Sequence, residues 1–431
     1  MKKLLLIILA LNTSICYAQM PDSASLKAEV YFKEAQKAAK NQKIWSKALY
    51  GPMFFVEPRS GAMWANSPDS AGTLKLDGEI YKGTLSKDII IANTSVHWQG
   101  KNWSMILWPL PKDHDERLNL MMHESFHRIQ ESLGLPANSP TIKHLNTMNG
   151  RIYFLLELQA LKAALNKPLN QRKADLESAL LFREKRHLLF PETFDNEKVL
   201  EMNEGLAEYT GVMLGRQKDS IKIHLDKVID GAVAFKSLIR AMAYITGPVY
   251  GYLLYQAAPN WTSKVTKESS FPELIETWYH IKPPSGDINA QVKKLTDKYK
   301  GRSIIASETI KEEEHQKKLN NYVDVFTKKP ILTINSVKMN IGFNPSNLFD
   351  LGDYGTIYPT AEVRDSWGDV EVTADSGGML MKDWKVITLP ITGELALDST
   401  SINGKGWKLT LKPGWKVIKS DPLHYMVIKE N

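Results

Sequence analysis

The stretch Leu118–Gln130, LNLMMHESFHRIQ, carries two histidines four positions apart, with a glutamate directly after the first. Residues i and i+4 lie on the same side of a helix, so His123 and His127 would project together. Apolar residues recur beside them at spacings of three and four, the period of an amphipathic helix: Leu118, Met122, Phe126, Ile129 and Leu133. The pattern predicts a helix over Glu116–Leu133 with a half-buried pair of imidazoles.

Two imidazoles at this spacing can both reach one Zn²⁺ ion at about 2.1 Å. Glu124 follows His123 directly, so its carboxylate projects beside the metal position, where it suits a general base that activates water. The segment from His123 to His127 is therefore a complete HExxH pattern. The alternative is an ordinary helix with two histidines and an acidic neighbour. The pattern favours the zinc site.

Zinc catalysis also needs a third protein ligand and a position open to water. The other histidines lack a partner at ligand spacing, and the residues after His127, RIQESLG, contain no further histidine. The third ligand should therefore be a carboxylate. The segment VLEMNEGLAEYTGVML offers Glu204 and Glu208, which share a helix face. Their alternative role is a solvated acidic face, and Glu201 in the same segment is expected to face solvent.

The run from Asn203 to Tyr209, NEGLAEY, resembles the second motif of the gluzincin metallopeptidases, the group that holds thermolysin and the zinc aminopeptidases. In that group a helix downstream of HExxH supplies a glutamate as third zinc ligand. The resemblance implies Glu204 as this ligand and Glu208 as the carboxylate that orients a zinc histidine, which needs an acceptor for its other N–H. Gly205 would let the two helices approach closely.

A weaker element follows in AMAYITGPVYGYLLY, where Tyr244-Ile245-Thr246-Gly247 resembles a Tyr-x-x-Gly of the zinc aminopeptidases. The resemblance implies that Tyr244 donates a hydrogen bond to the developing oxyanion. Tyr250 is the competing candidate for this role. The alternative is that both tyrosines are ordinary core residues.

The resemblance covers roughly Leu118–Gly247 and departs from the aminopeptidases in two respects. The gap between His127 and Glu204, 76 positions, is longer than theirs. Their Gly-x-Met-Glu-Asn stretch, which holds the free amine of the substrate, has its nearest counterpart in GAMWAN, residues 61–66, without the glutamate. We therefore expect an endopeptidase, or an enzyme of other peptide preference, rather than an aminopeptidase.

The rest of the chain predicts an α+β protein of two domains. Helical patterns cover Ser23–Ala48, Arg151–Leu165, Arg172–Leu189, Glu197–Leu214, Ile221–Ile229, Phe235–Gln256 and Ala290–Asn321. Strand-like segments around QGKN predict a hairpin in a small antiparallel sheet, and its strand WSMILW could pair with an extended substrate. Short alternating segments from Lys329 predict an all-β sandwich or open barrel. We expect a zincin-like catalytic domain over 19–325 and a β domain over 326–431.

The first residues, MKKLLLIILALNTSICYAQ, have the layout of a secretory signal peptide over 1–18, cleaved after Ala18. The apolar run is too short to span a bilayer, and a lipid-attached Cys16 is disfavoured because Ile15 stands where a small residue is expected. We expect an exported protein, periplasmic or extracellular, without a transmembrane segment. Since Cys16 is the only cysteine, the mature chain would have no thiol nucleophile or cysteine ligand.

The charge pattern argues against nucleic acid as a partner. The formal charge is +7, from 55 basic and 48 acidic residues, and removal of the signal peptide leaves +5. Basic residues are interleaved with acidic ones, as in KEEEHQKK, and form no stripe that could follow a phosphate backbone. The expected partner is a peptide or protein substrate.

The competing function is a secreted, non-catalytic zinc protein whose β domain binds a glycan or another protein. Four tryptophans could form a sugar platform in that domain: Trp367, Trp384, Trp407 and Trp415. The alternative is that they fill the core of a sandwich.

Overall fold

The computed structural model describes residues 23–40, 42–86, 88–235, 237–344, 347–373, 377–397 and 399–430. The predicted signal peptide, with Cys16 and the cleavage position at Ala18, lies outside these residues. The chain divides into two compact units, Met1–Gly301 and Arg302–Asn431. A helical N-terminal region is followed by an all-β C-terminal region, so the predicted α+β class is confirmed. Within the described ranges, no helix combines the length and the apolar character needed to cross a membrane.

The helices of the described residues are α1 (Ser23–Ala39), α2 (His114–Gln130), α3 (Met148–Leu165), α4 (Lys173–Leu189), α5 (Phe194–Leu200), α6 (Leu206–Gly215), α7 (Lys218–Gly231), α8 (Ala241–Ala257), α9 (Phe271–Tyr279), α10 (Ile288–Leu295) and α11 (Gly301–Lys328). A turn of π-helix, Glu201–Gly205, joins α5 to α6. The predicted helix Glu197–Leu214 is thus interrupted by a wider turn at the position of Glu204. The predicted helix Ala290–Asn321 is divided between α10 and α11.

The first unit contains a six-stranded sheet with the order β3-β4-β2-β1-β6-β5. Its strands are β1 (Met53–Val56), β2 (Ala62–Ala65), β3 (Lys75–Asp77), β4 (Ile80–Thr84), β5 (Thr94–Trp98) and β6 (Lys101–Leu107). The hairpin predicted around QGKN is present as β5 and β6. The sheet is antiparallel, as predicted, at four of its five strand pairs, and β1 runs parallel to β6 at the fifth.

The position of β6 limits where WSMILW could pair with a substrate. This strand pairs with β1 through Ser104–Leu107 and with β5 through Lys101–Met105, so Ser104 and Met105 have strand neighbours on both sides. An extended substrate cannot add to β6 at these two residues. The free edge at this end of the sheet belongs to β5.

Glycines set the close approaches between the helices of the first unit. On α6, a Cβ atom at Gly211 would lie 2.6 Å from the backbone oxygen of Asn119 on α2, and one at Gly215 would lie 2.6 Å from its backbone nitrogen. Gly205, expected to allow this approach, faces α8 instead, where a Cβ atom at Gly247 would lie 2.3 Å from the Cα atom of Gly205. The π-helical turn therefore packs backbone to backbone on α8.

A Gly247→Ala variant should unfold at a lower denaturant concentration than the wild type, because overpacking lowers its free energy of unfolding by about 1–3 kcal/mol. Alanine normally stabilises a helix interior relative to glycine, so the substitution lowers the free energy of unfolding only if the clash with Gly205 outweighs this gain. Gly231→Ala is the matched control, because its Cβ atom would meet nothing within 4 Å in the described structure. Urea titration of both variants tests this, and an equally stable Gly247→Ala protein would contradict the close packing.

The second unit contains α11 from Arg302 onward and, after it, a two-sheet sandwich. Its sheets have the orders β17-β18-β7-β14-β13-β10-β9 and β15-β16-β12-β11-β8. The strands are β7 (Ile331–Asn335), β8 (Asn340–Phe343), β9 (Phe349–Asp350), β10 (Thr356–Tyr358), β11 (Ala361–Asp365), β12 (Gly368–Val372), β13 (Met379–Lys382), β14 (Val386–Pro390), β15 (Ser401–Gly404), β16 (Trp407–Leu411), β17 (Trp415–Lys419) and β18 (His424–Lys429). Apolar residues of both sheets share one core.

The two compact units divide within the first turn of α11, between Gly301 and Arg302, whereas the expected domain division is at 325/326. Phe326 on α11 packs with Ile357 and Leu380 of the seven-stranded sheet, so this helix shares a core with the β region. Charged, helical composition alone does not reveal on which neighbour a connector helix packs.

The four tryptophans of the second unit do not form one platform. Trp367 and Trp407 are buried in the sandwich core, and Trp415 packs partly buried against it. Trp384 alone of the four has more than half of its surface exposed, at 56%. The core alternative is thus correct for Trp367 and Trp407.

Candidate metal centre

The two histidines lie on α2, which is held in place at its start and along its apolar face. Asp113 caps the helix by accepting a hydrogen bond from the backbone N–H of Glu116 at 3.0 Å. Leu118, Met122 and Phe126 are buried. The helix packs against β5 and β6 of the sheet and against α6. This packing fixes the face that carries the histidines toward α6.

The side chains of His123, His127 and Glu204 converge on one point. The Nε2 atoms of the two histidines lie 3.1 Å apart. Oε2 of Glu204 lies 3.5 Å from Nε2 of His123 and 3.6 Å from Nε2 of His127. Among the described residues this is the group of three whose ligand atoms could hold one ion. The structure thus brings together the three predicted ligands across the 76 intervening positions.

The outer nitrogen of His123 is held by Glu208, the residue expected to orient it. Nδ1 of His123 donates to Oε2 of Glu208 at 2.9 Å. The second oxygen of Glu208 accepts a hydrogen bond from Nδ2 of Asn119 at 2.9 Å. Since a carboxylate can only accept, His123 carries a proton on Nδ1, and Nε2 is the nitrogen that faces His127 and Glu204.

Glu124 is buried beside the histidines with a free carboxylate oxygen. Its side chain is 4% exposed, and in the described part of the chain Oε2 has no hydrogen-bond partner. Burial raises the pKa of Glu124, although the neighbouring His123 and His127 act in the opposite direction. A buried carboxylate oxygen without a hydrogen-bond partner is costly, and such groups are common where proton transfer takes place.

The structure separates the two tyrosines that the sequence left as alternatives. The hydroxyl of Tyr244 donates to Oε2 of Glu204 at 2.6 Å, and its ring stacks on that of His123 with centroids 5.5 Å apart. Tyr250 is fully buried, and its hydroxyl donates to Glu157 at 2.7 Å. Only Tyr244, 39% exposed, lies at the site and is open to a substrate.

The protonation preferences of the site follow from its carboxylates. Burial lowers the pKa of His123, but hydrogen bonds to Glu204 and Glu208 outweigh it and raise this pKa to about 10. Burial raises the pKa of Glu204, but hydrogen bonds from His123, His127 and Tyr244 outweigh it and lower this pKa overall. The site therefore attracts a positive charge to the point where the three side chains meet.

The donor set and its spacing fit zinc. In a tetrahedral site with ligand distances of about 2.0–2.1 Å, the ligand atoms lie about 3.3–3.4 Å apart. The observed separations of 3.1, 3.5 and 3.6 Å bracket that value. Two imidazole nitrogens and one carboxylate oxygen are ligands that zinc accepts, and three protein ligands leave a position for water.

Sequence reasoning missed four side chains that support the ligands, one of which is Ser139, whose hydroxyl donates to Glu204. Asn119 supports Glu208, and Gln130 and Asn203 hold His127 and Glu204 from the other side. Asn119 lies one turn before His123 and Gln130 nearly one turn after His127, so helical spacing along α2 could have indicated both.

The expectation that Glu201 faces solvent was wrong. Its side chain is fully buried and accepts hydrogen bonds from Arg183, at 3.0 and 2.6 Å, and from Thr246 at 2.6 Å. It belongs to a buried ionic cluster on α3, α4, α5 and the π-helical turn, which consists of Glu157, Arg183, Arg186, Glu197 and Glu201. The cluster ties the turn that carries Glu204 to the helices behind it.

Comparison with protein-family models, with curated proteins and with solved structures gave no match to this chain.

Proposed function

We propose that the chain is an exported zinc-dependent peptidase that hydrolyses peptide bonds with Glu124 as general base. The observation that carries the proposal is the meeting of ligand atoms from His123, His127 and Glu204 within 4.8 Å of one another, beside that buried carboxylate. The resemblance of the two motifs to the gluzincin metallopeptidases supports the same assignment. A binding function for the β region has less support, since two of its four tryptophans are core residues.

In the proposed reaction His123, His127 and Glu204 would hold the ion. When bound, zinc supplies Lewis acidity that polarises a carbonyl and lowers the pKa of water towards about 7. Glu124 takes the proton of the attacking water and delivers it to the amide nitrogen as the carbon–nitrogen bond breaks. Tyr244 supplies the donor for the oxyanion.

Metal analysis of the purified mature protein tests the proposal. We expect about one zinc per wild-type chain and none in His123→Ala or Glu204→Ala, because three protein ligands are the minimum for such a site. His114→Ala is the matched control, since this histidine lies in the first turn of the same helix with 58% of its side chain exposed. A wild-type protein without zinc contradicts the proposal, and zinc retained in Glu204→Ala places the third ligand elsewhere.

A further inference from the structure

The side chain of Gln130 connects the second histidine to the third ligand. Its Oε1 lies 2.7 Å from Nδ1 of His127, and its Nε2 lies 2.9 Å from Oδ1 of Asn203. Nδ2 of Asn203 donates to Oε1 of Glu204 at 3.1 Å and to Oγ of Ser139 at 2.9 Å. Ser139 donates in turn to the same Oε1 of Glu204 at 2.8 Å. We call these five residues the amide relay.

The proton positions in the amide relay follow from an acceptor at one end. The backbone carbonyl of Pro136 can only accept, and it receives a hydrogen bond from Nε2 of Gln130. The amide of Gln130 is thereby oriented, and its Oε1 must face His127 as an acceptor. His127 therefore carries a proton on Nδ1.

The hydrogen bonds at the other end of the amide relay also run from donor to acceptor in the direction from His127 towards Glu204. The carboxylate of Glu204 accepts from both Asn203 and Ser139, so Oδ1 of Asn203 is left to accept from Gln130. Gln130 is fully buried, so water cannot replace its carbonyl oxygen.

We infer that Gln130 is a positioning residue that fixes the tautomer and ring orientation of His127 and couples it to Glu204 through Asn203. The inference deepens the proposed zinc function and rests on it. His123 has a carboxylate on its outer nitrogen, whereas His127 has a neutral amide. The two histidines are thus both presented through Nε2, while only one of them adds a negative charge behind the site.

A Gln130→Leu variant tests the inference, because leucine keeps most of the volume and removes the acceptor. We expect zinc to bind about 10–100-fold more weakly, as measured by competition with a chromophoric chelator. In spectra of protein with ¹⁵N-labelled histidine, the Nδ1–H signal of His127 should be slow to exchange in the wild type and lost in the variant. This signal is read with and without metal, so it reports on orientation and not on activity.

Two further variants complete the experiment. Gln159→Leu makes the same change at another buried helical glutamine, on α3, and should leave zinc affinity unchanged. Ser139 is exposed, so Ser139→Ala should leave the fold intact. The variant loses the hydrogen bond to Glu204 and should therefore bind zinc several-fold more weakly. Wild-type affinity and an intact His127 signal in Gln130→Leu would overturn the inference. A wild type without zinc would overturn the proposed function, while the His127 signal would still decide whether Gln130 orients the ring.

Discussion

A Glu124→Gln protein should keep its zinc and lose peptidase activity by about 10²–10⁴-fold in kcat/KM, the range for loss of a positioned general base. Glutamine has nearly the same shape as glutamate but cannot take a proton at neutral pH. Glu124 is not among the three converging ligands, so metal content should not change. Cleavage of a peptide found with a substrate library, together with metal analysis of the same preparation, provides the measurement.

The stability of this variant distinguishes a catalytic residue from a structural one. Burial raises the pKa of Glu124, which means that the folded state disfavours its charged form. The neutral amide should therefore leave the protein as stable as the wild type or more so, as is common when a strained catalytic group is removed. Glu131→Gln, an exposed change just after α2, should alter neither activity nor stability. Full activity in zinc-loaded Glu124→Gln would exclude the proposed mechanism.

The parts of the site that could be predicted are those set by local helical spacing. His123, Glu124 and His127 lie within one helix, and the geometry of a helix alone places the two imidazoles side by side. Glu204 could be assigned only through the resemblance of its motif, because nothing local connects it to α2. The structure brings it there through α6, whose Gly211 and Gly215 contact the backbone of Asn119.

Other features depend on contacts between distant segments and have no local signature. Glu201 looks like a surface acid in sequence, because nothing in VLEMNEGLAEY shows that Arg183 on α4 pairs with it. The π-helical turn is likewise hidden, since its residues form a regular helical pattern and the extra residue appears only in the backbone. The boundary at α11 and the burial of Trp367 depend in the same way on the neighbouring sheet.

A Glu197→Gln variant should be among the least stable single substitutions in the first unit. Glu197 and Arg186 are both fully buried, and they share two hydrogen bonds of 2.8 and 2.9 Å. Arg183 lies 3.2 Å from the same carboxylate, and the Nε2 atoms of His144 and His187 are 2.6 and 3.0 Å from it. Removal of one partner of a buried ion pair leaves an uncompensated charge and costs about 3–5 kcal/mol. Urea unfolding of the full chain at pH 7 provides the measurement.

The stability lost in Glu197→Gln should depend on pH, which provides a second test of the ion pair. Burial raises the pKa of Glu197, but Arg186 outweighs it and holds this pKa well below its ordinary value. A depressed pKa in the folded state stabilises the protein above the ordinary glutamate pKa of about 4.3, and this stability is lost as the pH falls below it. The stability that the ionised Glu197 contributes should therefore persist above a pH of about 4.3, and the difference between wild type and Glu197→Gln should narrow in more acidic solution. Glu192→Gln, on the exposed turn before α5, should stay within about 0.5 kcal/mol of the wild type. A Glu197→Gln protein as stable as this control would show that the buried ionic cluster does not hold the helices behind the site together.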